Sequence, residues 1–450
     1  MLKEIFQSIQ NKNGRAYIVG GFVRDWFLGL ESKDVDIEVF GLSYDDLTEV
    51  LSQYGKVDLV GKKFGVLKVN INGADYDFSL PRRDSKNGIG HKGFEVTVDH
   101  TMTLEEAASR RDFTINSISY DLLTKEFIDP FNGKRAIKYK LLIPTSKAFK
   151  EDSLRMLRGF QFSARFGMKP SGKLMNIGFE LLDDYKNLSK ERVWEEWNKW
   201  ASKGKDYSQS MTYLYYTHWC KLYPELNDIY GVEQDKEWHP EGTVNIHTGH
   251  VLDHMATICE RENITGDNRL VLIFAALCHD FGKATHTQFE DGRIRSRGHE
   301  KAGGPLARSF LESIDCPEKI IERVIPLVVN HMAATQVLSD RAIRRLAVRL
   351  GKATIKELGY LIEADQCGRP PLPKKCSDKL IHLLYKSYKL GIMDGKPEAV
   401  VKGQDIVDFG YKPGPIVGKI QKKLYEMQVN GSFSDKETGL KKIKDFVKGF

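Results

Sequence analysis

Residues 17–39 read YIVGGFVRDWFLGLESKDVDIEV, an apolar run ending in paired glycines and followed by an Asp-x-Asp pair, Asp34 and Asp36. In a strand, residues two apart point to the same face, so these two carboxylates should project together. Side by side they repel unless a cation sits between them. An oxygen-rich site of this kind favours Mg2+, which commonly also takes substrate phosphates as ligands. Gly20 and Gly21 remove side chains where backbone must approach a phosphate chain, and Arg24 could neutralise that chain. Asp-x-Asp alone is often just a hydrophilic strand. Behind Gly-Gly-x-x-Arg-Asp it points to a metal and triphosphate site. Asp77, in ADYDFSL, is a candidate third carboxylate on a neighbouring strand, although alternation gives Asp75 the same face.

Two further clusters fit the same chemistry. SRRDFTINS (109–117) sets Arg110 and Arg111 beside Asp112 and Asn116. The guanidinium groups could grip phosphates while Asp112 and Asn116 read a ribose hydroxyl; the plain alternative is a helix start capped by Asp112. In EDSLR (151–155), Asp152 and Arg155 lie three apart and on a helix would share a face. Cytosine and adenine each present an amino donor beside a ring-nitrogen acceptor. Asp152 can take the amino group and Arg155 can give to the ring nitrogen. Uracil reverses that order, and each buried polar group left unpaired costs about 1–3 kcal/mol. An ordinary salt bridge at a helix start is the bland alternative. Arg158, one turn on, joins Arg24, Arg110 and Arg111 as a candidate triphosphate contact.

Histidines gather farther along, in NIHTGH (245–250), LCHDFGK (277–283), RGHE (297–300) and VNHM (329–332), with EADQCGR (363–369) after them. A lone histidine on an apolar helix is usually a core residue with its hydrogen bonds met. Five spaced segments argue for ligands, and an adjacent His-Asp pair suits a transition divalent ion better than Mg2+.

The elements that must hold these groups change character along the chain. Residues 1–145 alternate short β-branched runs (AYIVG, VDIEVF, GVLKVNI, ADYDFSL) with helical patterns such as SYDDLTEVLSQYG, for which Ser43 is a candidate N-cap. From about 148 onward long helical patterns replace them. The chain has 450 residues, 41% hydrophobic and 29% charged, as expected of a globular protein with two to four domains. No apolar run approaches the roughly 18 residues of a membrane span, and the start lacks a signal-peptide pattern. Six scattered cysteines read as free thiols of a cytoplasmic protein. Residues 371–450 hold 16 lysines, no arginine and 9 acidic residues, so their +7 equals the net charge of the whole chain. A lysine-rich end suits a polyanion such as RNA. The helical pattern DRAIRRLAVRLGK (340–352) adds Arg341, Arg344, Arg345 and Arg349.

The sequence resembles the class II tRNA nucleotidyltransferase and poly(A) polymerase family, and is most similar to CCA-adding enzymes of the bacterial type with a C-terminal HD domain. GGFVRDWFLGLESKDVDIEV, RRDFTINS, EDSLRMLRGFQFSARFG, ERVWEE and VKGQDIVDFGYKPGPIVGKI carry the resemblance, in order, along almost the whole chain. It implies an α/β nucleotidyltransferase head with a mixed sheet and helices, followed by an all-α remainder including an HD domain. The divisions expected are a catalytic head (1–145), a helical neck that recognises the base (146–234), an HD phosphohydrolase-like domain (235–370) and a tRNA-binding tail (371–450). The activity implied is addition of C, C and A to tRNA from CTP and ATP without a nucleic-acid template. Asp34 and Asp36 would hold two Mg2+ ions for it. Gly21, Arg24, Arg111, Asp112, Asn116, Asp152, Arg155 and Arg158 would bind the nucleotide, and Glu191, Arg192 and Glu196 would buttress Asp152 and Arg155. His247, His279, Asp280 and Asp365 match the four-ligand HD core for an ion such as Ni2+, Mn2+ or Co2+. His299 and His331 could support a second ion. Such a site could hydrolyse 2′,3′-cyclic phosphates or phosphomonoesters. A poly(A) polymerase, or an enzyme adding only CC or A, shares parts of this pattern. DPFNG (129–133), where relatives read DPFGG, and Ser117, where they carry alanine, depart from it. Segment 81–100 has the length of the family's mobile loop. The protein is expected to be a monomer or homodimer and to have no membrane partner.

Overall fold

The structure, a computed structural model, describes residues 1–32, 34–58, 65–71, 73–86 and 94–446. The chain divides into two compact units, Met1–Leu222 and Tyr223–Phe450. Residues 223–234, expected in the neck, therefore belong with the second unit.

In the first unit the strands are β1 (Arg15–Val19), β2 (Asp36–Phe40), β3 (Lys56–Asp58), β4 (Val66–Ile71), β5 (Ala74–Ser79), β6 (Arg82–Lys86), β7 (Phe94–Val98), β8 (Ser119–Asp121) and β9 (Glu126–Ile128). Seven of them form one sheet in the order β3-β4-β5-β2-β1-β8-β9. β2 and β5 run parallel and the other pairings are antiparallel, so the sheet is mixed. β6 and β7 pair separately as a hairpin within segment 81–100; the expectation of mobility there falls largely on residues 87–93, outside the described ones.

The amphipathic helix α1 (Leu2–Asn11) lays Ile5, Phe6 and Ile9 on one face of the sheet, with Leu47, Val50 and Leu51 of α3 (Tyr44–Ser52) in the same core. Ser43 caps α3, its Oγ accepting from the Asp46 backbone N–H at 3.1 Å. Between them, α2 (Gly21–Leu28) starts directly after β1. The turn needs Gly20, whose φ of 72° is one that L side chains rarely adopt. Next come α4 (Leu104–Ser109), α5 (Gly133–Lys138), the short strand β10 (Leu141–Leu142), α6 (Leu154–Phe166), β11 (Lys169–Pro170), α7 (Gly172–Glu180), α8 (Lys190–Lys203) and α9 (Tyr207–Tyr216). Helix α6 packs on α8 and α9. Phe160 stacks on Trp200 with centroids 5.3 Å apart, and Gly159 admits Tyr213, whose hydroxyl donates to the Met156 carbonyl at 2.9 Å.

The second unit holds α10 (Pro224–Asn227), α11 (Val244–Arg261), α12 (Gly266–Cys278), α13 (Lys283–His286), the hairpin β12 (Gln288–Glu290) and β13 (Arg293–Arg295), α14 (His299–Ser313), α15 (Glu318–Asn330), α16 (Asp340–Arg349), α17 (Ile355–Cys367), α18 (Asp378–Lys389), α19 (Gly403–Asp408), α20 (Pro415–Val429) and α21 (Lys436–Phe446). Residues 270–278 of α12 are buried on every side, which makes it the central helix against which α11, α15 and α17 pack. The β12–β13 hairpin departs from the all-α expectation. The lysine-rich end has its own small core of Val401, Ile406, Ile420, Leu424, Phe433 and Ile443. Arg344 donates to the Val429 carbonyl at 2.9 Å, and Arg341 and Arg345 donate to the Asn430 side chain at 3.2 and 2.9 Å. These three arginines, expected to face a polyanion, brace the end of α20.

Candidate active sites

In the head, β2 places Asp36 directly across from Asp77 of β5. Asp75 instead accepts from the Asn70 side chain at 2.6 Å, so of the two it is Asp77 that lies beside Asp36. Asp34 is exposed and lies just before the strand. Its partner strand explains this: β1 pairs Val19 with Asp36 and then turns away at Gly20, leaving residue 34 no ladder to join. Burial raises the Asp36 carboxyl above its ordinary value; Arg111 opposes the shift, and Asp77, Asp34 and Glu38 add to it. An all-oxygen cluster that strains against its own charge is the donor set a Mg2+ ion fits.

Asp36 and Asp77 open on a cavity of about 640 Å³ lined by nine arginines and lysines and five carboxylates, a surplus suited to a triphosphate. Gly20 also lets Arg111 and Asp36 approach closely: a Cβ would lie 3.0 Å from an Arg111 nitrogen and 3.4 Å from Asp36 Oδ2. Gly21 and Arg24 also line the cavity, but Arg24 is only 5% exposed. It donates to Asp25 and to Asn116 Oδ1, both at 2.8 Å, and lies 4.7 Å from the Phe166 ring centre. It is a strut beneath the cavity, with little surface left for phosphate. Asn116 in turn donates to buried Asp112, which also receives Arg158 at 3.0 Å. Burial alone would raise the Asp112 carboxyl, yet Arg158 and Asn116 hold it below its usual range. Arg111 reaches Glu38 at 3.0 Å, a partner the motif did not suggest.

Asp152 and Arg155 do not share a helix face. Helix α6 starts at Leu154, and Asp152, in extended conformation two residues ahead of it, accepts from the Leu154 N–H at 3.1 Å. The other Asp152 oxygen accepts from Arg192 of α8 at 2.7 Å. Arg155 donates to the Ala148 and Arg110 carbonyls at 2.7 and 2.9 Å. Arg155 lines the cavity; Asp34 and Asp152 are not in its lining.

In the second unit, His247 from α11, His279 and Asp280 after α12, His299 opening α14, His331 after α15 and Asp365 of α17 come together. His247 Nε2 lies 3.2 Å from Asp365 Oδ1 and 3.8 Å from Asp280 Oδ2, and His279 Nε2 lies 3.2 Å from the latter. On the other side of the carboxylate, Asp280 Oδ1 is 3.2 Å from His299 Nε2 and 3.8 Å from His331 Nε2.

The ring orientations are fixed from behind. Nδ1 of His279, His299 and His331 lies 2.8, 2.6 and 2.7 Å from the carbonyls of Ala276, Ser296 and Val328. A carbonyl only accepts, so each neutral ring carries its proton on Nδ1 and turns the Nε2 lone pair inward. The Nε2 atoms of His299 and His331 then confront each other at 3.1 Å. Two lone pairs at that distance call for a cation. His279 Nε2 and both Asp280 oxygens are buried without a well-formed hydrogen bond, so the donor set fits a divalent ion.

The electrostatics agree. Burial with His299 and His279 nearby lowers His331 to about 3, whereas Asp280, despite burial, is held well below its usual range by His279 and Lys283. Lys283 Nζ is 2.7 Å from Asp280 Oδ2. Gly282 is packed so closely that a Cβ would lie 2.1 Å from the His299 carbonyl. Sequence reasoning missed Glu241, whose Oε1 is 2.8 Å from His247 Nδ1 and 2.9 Å from His239 Nδ1. The alternating His239 and Glu241 of WHPEG, just before NIHTGH, were the available signal.

Residues 16–143 match the Poly A polymerase head domain family, and residues 244–367 match the HD domain family. The combination defines a nucleotidyltransferase that carries an HD domain. The multifunctional CCA protein of Xanthomonas oryzae pv. oryzae is 33% identical over 367 residues, covering 79% of this chain and 85% of that one. Its counterpart in Xylella fastidiosa is 32% identical over 370 residues, covering 79% and 84%. The chain belongs to the multifunctional CCA protein family. Its fold is similar to that of the Bacillus stearothermophilus CCA-adding enzyme in complex with CTP (TM-score 0.63, 20% identity, 98% of this chain and 95% of that one). A similar likeness holds for the Thermotoga maritima CCA-adding enzyme complexed with tRNA-CCA (TM-score 0.62, 19% identity, 98% and 94%). Among the described residues no helix is long and apolar enough to cross a membrane.

Proposed function

We propose that the head adds C, C and A in turn to the 3′ end of tRNA, from CTP and ATP and without a nucleic-acid template, in the cytoplasm. The observation that carries this reading is the pairing of Asp36 with Asp77 in the lining of a cationic cavity. Mg2+ held by Asp34, Asp36 and Asp77 would supply the Lewis acidity for attack at phosphorus. Arg111 and Arg158 receive the triphosphate, and the Asp112–Asn116 pair faces the ribose. Arg155 and Asp152 choose the base after exchanging their present intramolecular bonds for bonds to it. The terminal 3′ oxygen bonds to the α-phosphorus, the bond to the β-phosphate oxygen breaks, pyrophosphate departs and the hydroxyl proton passes to solvent. The lysine-rich end from 371 to 450 contacts the tRNA body. A tRNA lacking its 3′ end, incubated with CTP, ATP or both, tests the reading. Three added nucleotides ending in A support it, whereas an open-ended A tail or a stop after CC overturns it.

The second unit is, on the same footing, a phosphohydrolase for 2′,3′-cyclic phosphates or phosphomonoesters. His247, His279, Asp280 and Asp365 would hold one ion of the Ni2+, Mn2+ or Co2+ type, and His299 and His331 would support a second. The supporting observation is the inward set of Nε2 lone pairs around one buried carboxylate. Water adds to phosphorus, one bond to a ribose oxygen breaks, and that oxygen leaves with a proton. Hydrolysis that survives in Asp36→Asn but not in Asp280→Asn supports this. Equal hydrolysis in both variants removes it.

A further inference from the structure

The HD cluster forms one wall of a cavity of about 840 Å³, large enough for a nucleotide and well beyond what a small phosphate needs. Trp238 lines the same cavity and is 58% exposed, an unusual state for an indole inside a built site. Its segment is braced on both sides. Asp235 pairs with Arg293 through two bonds of 2.7 and 3.0 Å, and Arg293 also reaches Glu237 at 2.6 Å. The backbone N–H groups of Trp238 and His239 both bond to the Asp235 carbonyl, at 3.2 and 2.8 Å. His239 is held by Glu241, and its ring lies 4.6 Å from that of His247. The neighbours of Trp238 are therefore fixed to the metal-binding wall on one side and the β12–β13 hairpin on the other, while the indole is left free. Arg295, Arg297 and Lys375 add positive charge to the same lining, and Met332 adds a second exposed apolar side chain.

We propose that Trp238 is the stacking platform for a nucleobase, so that the HD site takes a nucleotide phosphate, free or at the unpaired 3′ end of an RNA, in preference to a base-free phosphoester. A rigid aromatic face beside cationic side chains is how proteins hold single-stranded nucleic acid irrespective of sequence. The base lies on Trp238, the scissile phosphate lies among Asp280, Lys283 and the histidines, and the preceding backbone runs over Arg295, Arg297 and Lys375. This deepens, and rests on, the phosphohydrolase reading of the second unit.

The test compares hydrolysis of cytidine 2′,3′-cyclic phosphate with that of the base-free methyl riboside 2′,3′-cyclic phosphate by the full chain loaded with Mn2+, Ni2+ or Co2+. The ratio of kcat/KM for the two substrates is expected to be about tenfold or more in the wild type, to fall to about one in Trp238→Ala, and to recover largely in Trp238→Phe. A ratio that Trp238→Ala leaves unchanged overturns the proposal. Absence of hydrolysis of either substrate with any metal sinks the phosphohydrolase reading instead. The platform is then judged by binding: cytidine 3′-monophosphate should quench indole fluorescence in the wild type, with the difference lost in Trp238→Phe. No such difference overturns it.

Discussion

Arg192 Nη2 donates to Asp152 Oδ2 across 2.7 Å, which ties the residue expected to read the base to α8, the helix that also brings Glu196, Lys199 and Lys203 to the triphosphate cavity. Asp152 stands before α6 with its other oxygen spent on the Leu154 N–H, so Arg192 governs which way the carboxylate can face. Arg192→Ala should therefore loosen base choice more than turnover. The measurement is UMP misincorporation relative to CMP on a truncated tRNA, expected to rise by about tenfold, the equivalent of one misplaced hydrogen bond. An unchanged ratio would place base choice elsewhere.

Asp75 and Asp77 share a face of β5, but only Asp77 lies across from Asp36. Asp77→Asn is expected to lower nucleotide addition by about 100-fold or more, on the scale of losing a group that stabilises transition-state charge. Asp75→Asn, which disturbs only a bond to Asn70, should stay within about threefold. Single-turnover addition of CMP separates the two.

Metal should stabilise the second unit on its own. At a concentration about 100 times the dissociation constant, an ion binding only the folded state adds about 2.7 kcal/mol, worth roughly 5–10 °C in Tm for a unit of this size. Calorimetry with Mn2+ or Ni2+ should show one transition rising and the other unmoved. A chelator should reverse the rise, and Asp280→Asn should abolish it.

Acid should undo the brace around Trp238. The bond from Arg293 holds the Asp235 carboxyl at about 2, against an ordinary value of 3.8. A folded value below the unfolded one means that the pair supports the folded state fully above pH 4 and loses that support as the pH falls through 2. An NMR titration of the Asp235 carboxyl carbon should give a midpoint near 2, returning toward 3.8 in Arg293→Ala. A midpoint unmoved by that substitution would show that the bond is not formed in solution.

Much of this architecture could be read from residue order. The glycine turn after β1 and the histidine segments rest on local patterns, and the Ser43 cap is where its side chain predicts, but Asp34 falls outside the strand that begins at Asp36. What could not be read depends on partners distant in sequence. That Asp36 faces Asp77 and not Asp75 is a matter of parallel register between strands some forty residues apart. That Arg24 is a strut follows from Asn116 and Phe166, which only the folded chain brings to it. Asp152 lies outside α6 for a local reason: a short acidic side chain at a helix start competes for the backbone, and here the helix begins two residues later, at Leu154. The basic stripe of α16 looked like a surface for polyanions because nothing in its own spacing announces the α20 terminus against which three of its arginines lie.

Asp280 offers one oxygen to His247 and His279 and the other to His299 and His331. Loading at the two positions should then be cooperative, since an ion on either side fixes the plane of the shared carboxylate for the next. The stoichiometry of bound metal should drop by two per chain when Asp280 is neutralised and by one when His331 is. A binding isotherm with two independent steps would show that the shared carboxylate does not couple them.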